Sequence, residues 1–552
     1  MFGRQITPLL RKLCGASPIA SSSCRGLPTA SSSSLCHTRN MICYSQNGFE
    51  HSKTRSGGFL WMLLHGQAAL LFGGSCSLVF AEEVSNGKAS ETNAGESANV
   101  GLQRLEDGSI ISNEHTSKWR IFTDNGREFF LQGRMIEAEK LFSSALEEAK
   151  KGFGERDPHV ASACNNLAEL YRVQKSYDKA EPLYIDSISI LEEAFGPDDV
   201  RVGAALHNLG QFYIVQRKFE EARVCYERSL KIKGRVLGHG HADYAETMFH
   251  LGTVLYLQGN AKDAEALIKD SIRILEEGGQ GESFSCIRKL RYLAKIFCQK
   301  NQLGEAENIQ RKILHIMELT KGWDSLDTVN AAESLSMTLQ SLGKVRDARE
   351  LLERCLDVRK TLLPQDHIQI GANLLGLANL ALLNFKNNKF ATSEANLELD
   401  RAKDLLTNSV RIAQLILDGS KAKRNTQNYG QQYGKNEHPA LIILLQSLKA
   451  LAQVEVAKQE EQKTGEALPF LEAEKPLRHC IRAFKQYGAV ASTSTPIAVK
   501  EEYASCLKNL LSLIIDTPSD TEHSRKAEVQ KLKDEIMCIE EEISLHNNKH
   551  KL

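Results

Sequence analysis

Apolar positions in the middle of the chain recur at helical spacing and at a longer, constant interval. An alanine returns every 42 residues, with a large apolar side chain usually four positions later and a small or apolar one seven positions later. Steps of four and seven keep these side chains on one helix face. The alanines are Ala138, Ala180, Ala222, Ala264, Ala306 and Ala348. This interval predicts repeated units in which the alanines mark close approaches between helices.

A second helical stretch precedes each alanine. Leucine stands thirteen positions earlier in five of the six units, followed by a small residue and, three positions further on, by an aromatic residue or leucine, as in Leu209, Gly210 and Tyr213. Between the two stretches one position is glycine in three units: Gly133, Gly259 and Gly343. Glycine there predicts a left-handed turn that ends the first helix. Each unit is therefore expected to be a helical hairpin.

The order of these residues resembles the tetratricopeptide repeat. The 42-residue period and the connectors GERDP (Gly154 to Pro158), GPDD (Gly196 to Asp199) and GHGHAD (Gly238 to Asp243) are similar to the kinesin light chain and nephrocystin branch of that family. The resemblance covers roughly 118–365. It implies six regular repeats in an all-α, right-handed superhelical solenoid of tetratricopeptide-type hairpins, because a single hairpin cannot bury its apolar face alone.

Beyond residue 365 the register breaks, and 366–516 is predicted to hold irregular repeats. The alanine expected at position 390 is displaced by twelve residues to Ala402, and the polar stretch near 419–438 is predicted to be a disordered insertion. Residues 467–487 contain AEKPLRHCI, an echo of AEPLYIDSI in the second unit. Residues 517–552 are predicted to form a C-terminal capping helix, because a solenoid needs a polar outer face at its end.

Charge is balanced over the whole chain but uneven at its start. Lys plus Arg equals Asp plus Glu at 69 each, so the net charge does not favour nucleic acid as a partner. Residues 1–58 carry seven basic side chains, one acid (Glu50) and many serines. That composition is typical of an organelle targeting presequence. We expect import into the mitochondrion, with the chloroplast as the alternative.

An uncharged segment of 23 residues, 59–81, follows the presequence. Its length suits a bilayer span, and Val79 and Ala81 stand where a signal peptidase prefers small residues. We expect a hydrophobic membrane or sorting segment, either a retained anchor or a cleaved signal, and a location in the inner membrane or intermembrane space. Residues 82–117 are polar and aperiodic, which predicts a flexible linker.

Sequence motifs for catalysis were not found. The chain has no G-x-x-x-x-G-K-[ST] loop, no H-E-x-x-H and no G-x-S-x-G. Eight cysteines follow residue 84, none at C-x-x-C spacing, which favours buried free thiols over a zinc or redox site. His239 and His241 are interpreted as residues of a solvated turn. The chain is therefore predicted not to be an enzyme and to need no metal or cofactor.

The candidate binding residues lie beside the Leu-Gly position, because the resemblance implies that the first helix of each hairpin faces a concave groove. They are Asn165, Asn166, Glu169, Arg172, His207, Asn208, Gln211, Phe249, His250, Arg291, Tyr292 and Lys295. Side-chain amides both donate and accept, which suits a peptide backbone. Asparagine is a poor helix former, so its recurrence at Asn166 and Asn208 favours binding over an ordinary exposed helix position.

These features predict an organellar scaffold or adaptor that binds a peptide or protein partner of unknown identity. The alternative is a helical-repeat RNA-binding or organellar complex-assembly factor. RNA binding would need a basic inner face with regular base-reading positions. The candidate residues are mostly neutral or mixed in charge, so no nucleic acid is expected as a partner.

Overall fold

The computed structural model describes residues 114–387, 392–425, 437–461, 471–488, 496–516 and 522–549. Within these ranges the chain forms 18 helices and no strand, which confirms the all-α repeat fold. The described residues fall into two compact units, 114–264 and 265–549. The predicted presequence, the membrane or sorting segment and the linker up to residue 113 lie outside the described residues.

Unit 1 consists of three complete hairpins and the first helix of a fourth. Its helices are α1 (Glu114–Leu131), α2 (Met135–Phe153), α3 (Pro158–Val173), α4 (Tyr177–Phe195), α5 (Val200–Val215), α6 (Phe219–Val236) and α7 (Ala242–Leu257). The boundary between the units falls within α8 (Ala261–Glu277).

Unit 2 continues the alternation of helices. Its elements are α9 (Phe284–Gln299), α10 (Leu303–Lys321), α11 (Leu326–Ser341), α12 (Val345–Leu362), α13 (Ile368–Asn387), α14 (Thr392–Asn425), α15 (Glu437–Glu461), α16 (Leu471–Ala483) with a π-helical turn (Phe484–Gly488), α17 (Ile497–Asp516) and α18 (Glu522–Lys549). Of the predicted insertion near 419–438, residues 426–436 lie outside the described residues, and the flanking residues are helical.

The turn inside each of the first six hairpins contains one left-handed residue, always at the same position of the period. The φ angles lie between 57° and 90° at Gly133, Lys175, Arg217, Gly259, Asn301 and Gly343. The predicted glycine turns are confirmed. Three hairpins form the same turn with a residue that carries a side chain, which is uncommon at positive φ.

Replacing Lys175 with Gly is expected to raise the free energy of unfolding of unit 1 by about 0.5–1 kcal/mol, because glycine avoids the steric cost of the left-handed conformation. Ser176→Gly is the matched control: Ser176 is in the same turn at φ −85°, so glycine there brings no such gain. Urea denaturation of both variants checks the difference. An equal or lower stability for Lys175→Gly than for Ser176→Gly would contradict it.

A side-chain cap starts the first helix of each successive hairpin. Asp157 accepts from the backbone N–H of His159 at 2.8 Å, and Asp199 accepts from that of Arg201 at 2.9 Å. The same position, 42 residues apart each time, is filled by His241, Ser283, Ser325 and His367, which cap in the same way. The connectors noticed in the sequence are therefore helix caps, and the caps made by Asp157 and Asp199 are each worth about 0.5–2 kcal/mol.

The six periodic alanines are completely buried. In the first and third hairpins an aromatic ring four residues later lies over the glycine of the first helix: a Cβ atom at Gly126 would lie 2.7 Å from Phe142, and one at Gly210 would lie 2.8 Å from Cζ of Tyr226. The glycine leaves space for the ring, so the two helices of these hairpins approach closely.

A hydrogen bond between the two helices of a hairpin recurs in the irregular region. Ser187 and Ser229, seven positions after their alanines, donate to backbone carbonyls of the preceding helix at 2.8 and 2.6 Å. In α14, Ser409 stands seven positions after Ala402 and donates to the Gly371 carbonyl of α13 at 2.8 Å. Because Ala402 is also fully buried, α13 and α14 form a seventh hairpin of the same kind.

Two of the cysteines expected to be free thiols are paired. Cys480 of α16 and Cys506 of α17 form a disulfide, and both residues are fully buried. Cys480 follows Ala473 by seven positions, as Ser187 follows Ala180. The expectation was wrong here because spacing along the chain does not show which helices meet. Cys164, Cys286 and Cys355 are free and buried.

Two described helices are long and apolar enough to cross a membrane, Ile368–Lys386 and Glu437–Glu460. Most of each apolar stretch is buried inside the protein, as in the core helix of a water-soluble protein.

Candidate peptide-binding surface

In unit 1, the first helix of a hairpin is buried more deeply than the wall of an open groove would be. In α3 every residue from 160 to 170 is buried. Asn165 and Glu169 are completely buried, Asn166 is 1% exposed and Asn208 is 7% exposed. These side chains were expected to form an exposed surface, and that expectation of exposure is corrected. A role in peptide binding stays a prediction.

Two of the candidate amides bind each other. Nδ2 of Asn208 on α5 donates to Oδ1 of Asn165 on α3 at 3.0 Å. The residues are 43 positions apart, so this bond joins the first helices of neighbouring hairpins. A buried amide has to be hydrogen-bonded to avoid a desolvation cost. Asn165 and Asn208 thus contribute to cohesion between hairpins.

Glu169 is the centre of a buried charged cluster. Its carboxylate accepts from Nε and Nη2 of Arg172 at 3.0 and 2.8 Å and from the Tyr184 hydroxyl. The neighbouring carboxylate raises the pKa of the Arg172 guanidinium, and burial together with the same carboxylate raises the pKa of the Tyr184 hydroxyl. Both groups therefore stay protonated donors, which compensates for burying the Glu169 charge.

His207 belongs to a second polar cluster, centred on Thr247 of α7. Its Nδ1 lies 3.1 Å from the Thr247 hydroxyl, and its Nε2 lies 3.0 Å from Nε2 of Gln211. Lys233 of α6 also donates to Thr247 Oγ1 at 3.0 Å, and Thr247 donates to the Asp243 carbonyl at 3.0 Å. Because a glutamine Nε2 can only donate, His207 accepts through Nε2 and donates through Nδ1, as a neutral imidazole does.

Lys233 was not among the sequence candidates. It is 6% exposed, and burial lowers the pKa of its ammonium group. Nothing in the local spacing distinguishes it, because position 233 is an ordinary polar position of a second helix. Its role depends on Thr247, which the fold brings beside it.

The remaining candidates are buried or half-buried. His250 lies 3.1 Å from a carboxylate oxygen of Glu246 and stacks on the Tyr226 ring with centroids 5.7 Å apart. Phe249 is 5% exposed. In unit 2, Tyr292 is 7% exposed, and Arg291 and Lys295 are half-buried.

Replacing Asn208 with Ala is expected to lower the free energy of unfolding of unit 1 by about 1–3 kcal/mol, because the buried Asn165 amide loses the hydrogen bond from Asn208. Asn260→Ala is a control, since Asn260 lies in an exposed turn and bonds Asp263. Thermal and urea denaturation measure both. A melt unchanged by Asn208→Ala would restore the exposed-groove interpretation.

The helical hairpins, their caps and their ring-over-glycine packing define a helical repeat protein. Family models described as tetratricopeptide repeat match residues 128–193, 159–213, 201–277 and 328–369. The chain therefore carries tetratricopeptide repeats. No curated protein matched the chain in sequence.

Several solved structures match this chain at low identity and low TM-score. A putative kinesin light chain from Podosopora anserina with nearly identical TPR-like repeats is 20% identical, covers 38% of this chain and 99% of its own, and has a TM-score of 0.35. The apo form of RapI is 12% identical, covers 74% and 100%, with a TM-score of 0.43. The apo form of the quorum sensor NprR from B. thuringiensis is 12% identical, covers 77% and 98%, with a TM-score of 0.41. Such similarity concerns the fold alone.

Proposed function

We propose that this chain is a non-catalytic scaffold or adaptor that binds a protein partner inside an organelle. The organelle we propose is the mitochondrion. Tetratricopeptide repeats generally mediate protein–protein interactions. The observation that carries the proposal is the run of tetratricopeptide hairpins behind a basic, serine-rich N-terminus.

The alternative of RNA binding is less favoured by the contacts of unit 1. The cations Arg172 and Lys233 on its first and second helices are engaged by Glu169 and Thr247. Cations held in this way do not make a basic, base-reading face.

Affinity purification tests the scaffold function. The tagged full-length protein is recovered from intact organelles with and without nuclease. Stoichiometric protein partners that survive nuclease are expected. Partners that disappear after nuclease treatment would favour the RNA-binding alternative, and recovery of the chain alone would contradict the scaffold.

A reporter fusion tests the organelle. Residues 1–83 fused to a fluorescent protein are expected to direct it to mitochondria, and a uniform cytosolic signal would refute import. Carbonate extraction of the full-length protein then separates a retained anchor at 59–81 from a cleaved signal.

The Cys480–Cys506 disulfide supports the intermembrane space as the compartment, because disulfides persist in oxidising surroundings and are rare in reducing ones. Thiol trapping on the organellar protein is expected to show this pair oxidised. A fully reduced pair in freshly isolated organelles would argue against that compartment.

A further inference from the structure

A pair of buried cysteines joins two consecutive hairpins near the end of unit 2. Cys480 lies on α16, the second helix of one hairpin, and Cys506 lies on α17, the first helix of the next. Their disulfide is the only one among the residues that the structure describes. Other helices of unit 2 are joined by hydrogen bonds, such as that from Arg359 to Asn373. The joint between these two hairpins therefore depends on the oxidation state of two sulfur atoms.

As a thiol, Cys480 would have a hydrogen-bond acceptor within its own hairpin. Its Sγ lies 3.7 Å from the Leu445 carbonyl oxygen of α15, and it stands seven positions after the buried Ala473. The residue at this position donates to a carbonyl of the preceding helix in other hairpins: Ser187 to Ala161, Ser229 to Gly203, Cys355 to Val329 and Ser409 to Gly371. A disulfide sulfur carries no hydrogen, so the oxidised Cys480 cannot make this bond.

Cys355 shows the thiol arrangement at the same repeat position. It is fully buried and free, and its Sγ lies 3.6 Å from the Val329 carbonyl oxygen. Cys506 also has its Sγ 3.8 Å from the Leu445 carbonyl oxygen, which can accept from two donors. The fold thus provides for both states: two thiols that bond to α15, or one disulfide that bonds α16 to α17.

The disulfide lies beside the contacts that dock the last helix. The π-helical turn after Cys480 places the Phe484 ring on the Tyr503 ring of α17, with centroids 3.7 Å apart. The Tyr503 hydroxyl donates to Glu535 of α18 at 2.5 Å, and Lys485 of the π-helical turn lies 3.3 Å from the same carboxylate. A change in how α16 is held against α17 therefore also affects α18.

We propose that Cys480 and Cys506 form a redox latch that docks the terminal hairpin, α17 and α18, on the hairpin of α15 and α16. Closing the latch takes two protons and two electrons from the two thiols and forms the S–S bond. The acceptor is the disulfide of an exchange partner, which is reduced to two thiols, and a dithiol reverses both changes. The latch is a property of this chain whatever partner it binds, and so it goes beyond the proposed function.

Burial of the pair couples the latch to undocking. Both cysteines are fully buried, and exchange needs a thiolate to reach one of the sulfur atoms. A reagent reaches the pair only when α16 and α17 separate, so the docked hairpin protects the bond. The bond in turn ties α16 to α17 and makes their separation rarer.

Hydrogen exchange of the full-length protein tests the latch. One sample is oxidised with glutathione disulfide and another is reduced with dithiothreitol, and peptide mass spectrometry establishes the state of Cys480 and Cys506. Amides of α17 and α18 are expected to exchange at least about tenfold faster in the reduced sample. Those of α11 and α12 are expected to exchange equally in both. Equal rates in α17 and α18, or a pair that glutathione disulfide leaves reduced, would overturn the latch.

Two serine variants assign the response to this pair. Cys480→Ser keeps a donor for the Leu445 carbonyl, as Ser409 does for that of Gly371, but cannot form the disulfide. Its α17 and α18 should exchange as in the reduced wild-type protein under both conditions. Cys355→Ser is the control at the same repeat position and should respond like the wild type. A response that persists in Cys480→Ser comes from other cysteines and contradicts the latch.

The latch and the compartment fail separately. The exchange measurement uses purified protein, whereas thiol trapping uses isolated organelles. A tenfold response in the purified protein with a reduced pair in organelles would argue against the intermembrane space and leave the latch in place. The absence of a response would remove the latch and leave the scaffold function untouched, because partner recovery measures that function independently.

Discussion

Replacing Arg359 with Ala should lower the free energy of unfolding of unit 2 by about 3 kcal/mol, since it removes a buried side chain that donates to Glu333 and to the buried Asn373. Arg359 is 1% exposed. Its Nη1 and Nη2 donate to the two carboxylate oxygens of Glu333 on α11 at 3.1 and 2.6 Å, and Nη1 also donates to Oδ1 of Asn373 on α13 at 2.9 Å. One side chain thus ties three helices together.

The loss should be local as well as large. Asn373 is completely buried and donates to the Leu352 carbonyl at 2.9 Å, so without Arg359 its own oxygen would lack that donor. Hydrogen exchange is expected to increase in α11, α12 and α13 together. Arg354→Ala is the control, because Arg354 is exposed and lies over the Trp323 ring at 3.5 Å. A loss for Arg359→Ala no larger than for this control would refute the role of the network.

Ala222→Arg is the second change with a large expected effect, about 3 kcal/mol or more in unit 1. Ala222 has no exposed surface and lies one helical turn before Tyr226, whose ring covers Gly210. An arginine has no space there, and overpacking alone costs about 1–3 kcal/mol. Burying its charge without a partner adds to that cost.

Glu227→Arg is the matched control on the same helix. Glu227 is exposed, and surface substitutions usually change stability by no more than about 0.5 kcal/mol. Circular dichroism at increasing temperature compares the two variants with the wild type. If Ala222→Arg melts like the control, Ala222 does not mark the helix crossing.

The sequence alone determined the hairpins of this protein. A period of 42 with helical spacing identified Ala222 and its equivalents, and the turns at Gly133, Gly259 and Gly343 followed from glycine's tolerance of positive φ. The displaced Ala402 could also be located, since the helical spacing on either side of it is local. The period is read directly along the chain, and the helical spacing and the turns depend on neighbouring residues, so pattern and propensity suffice.

The tertiary structure decided which polar residues are interior. Asn165 bonds Asn208, 43 residues away along the chain, and Arg359 bonds Glu333, 26 residues away. Cys480 and Cys506, on different helices, form a disulfide. How closely neighbouring first helices approach sets whether such side chains face water or each other, and that distance depends on ridges and grooves contributed by separate hairpins. The exposure expected for the candidate amides failed for this reason, because a one-dimensional pattern cannot reveal burial between elements that are far apart along the chain.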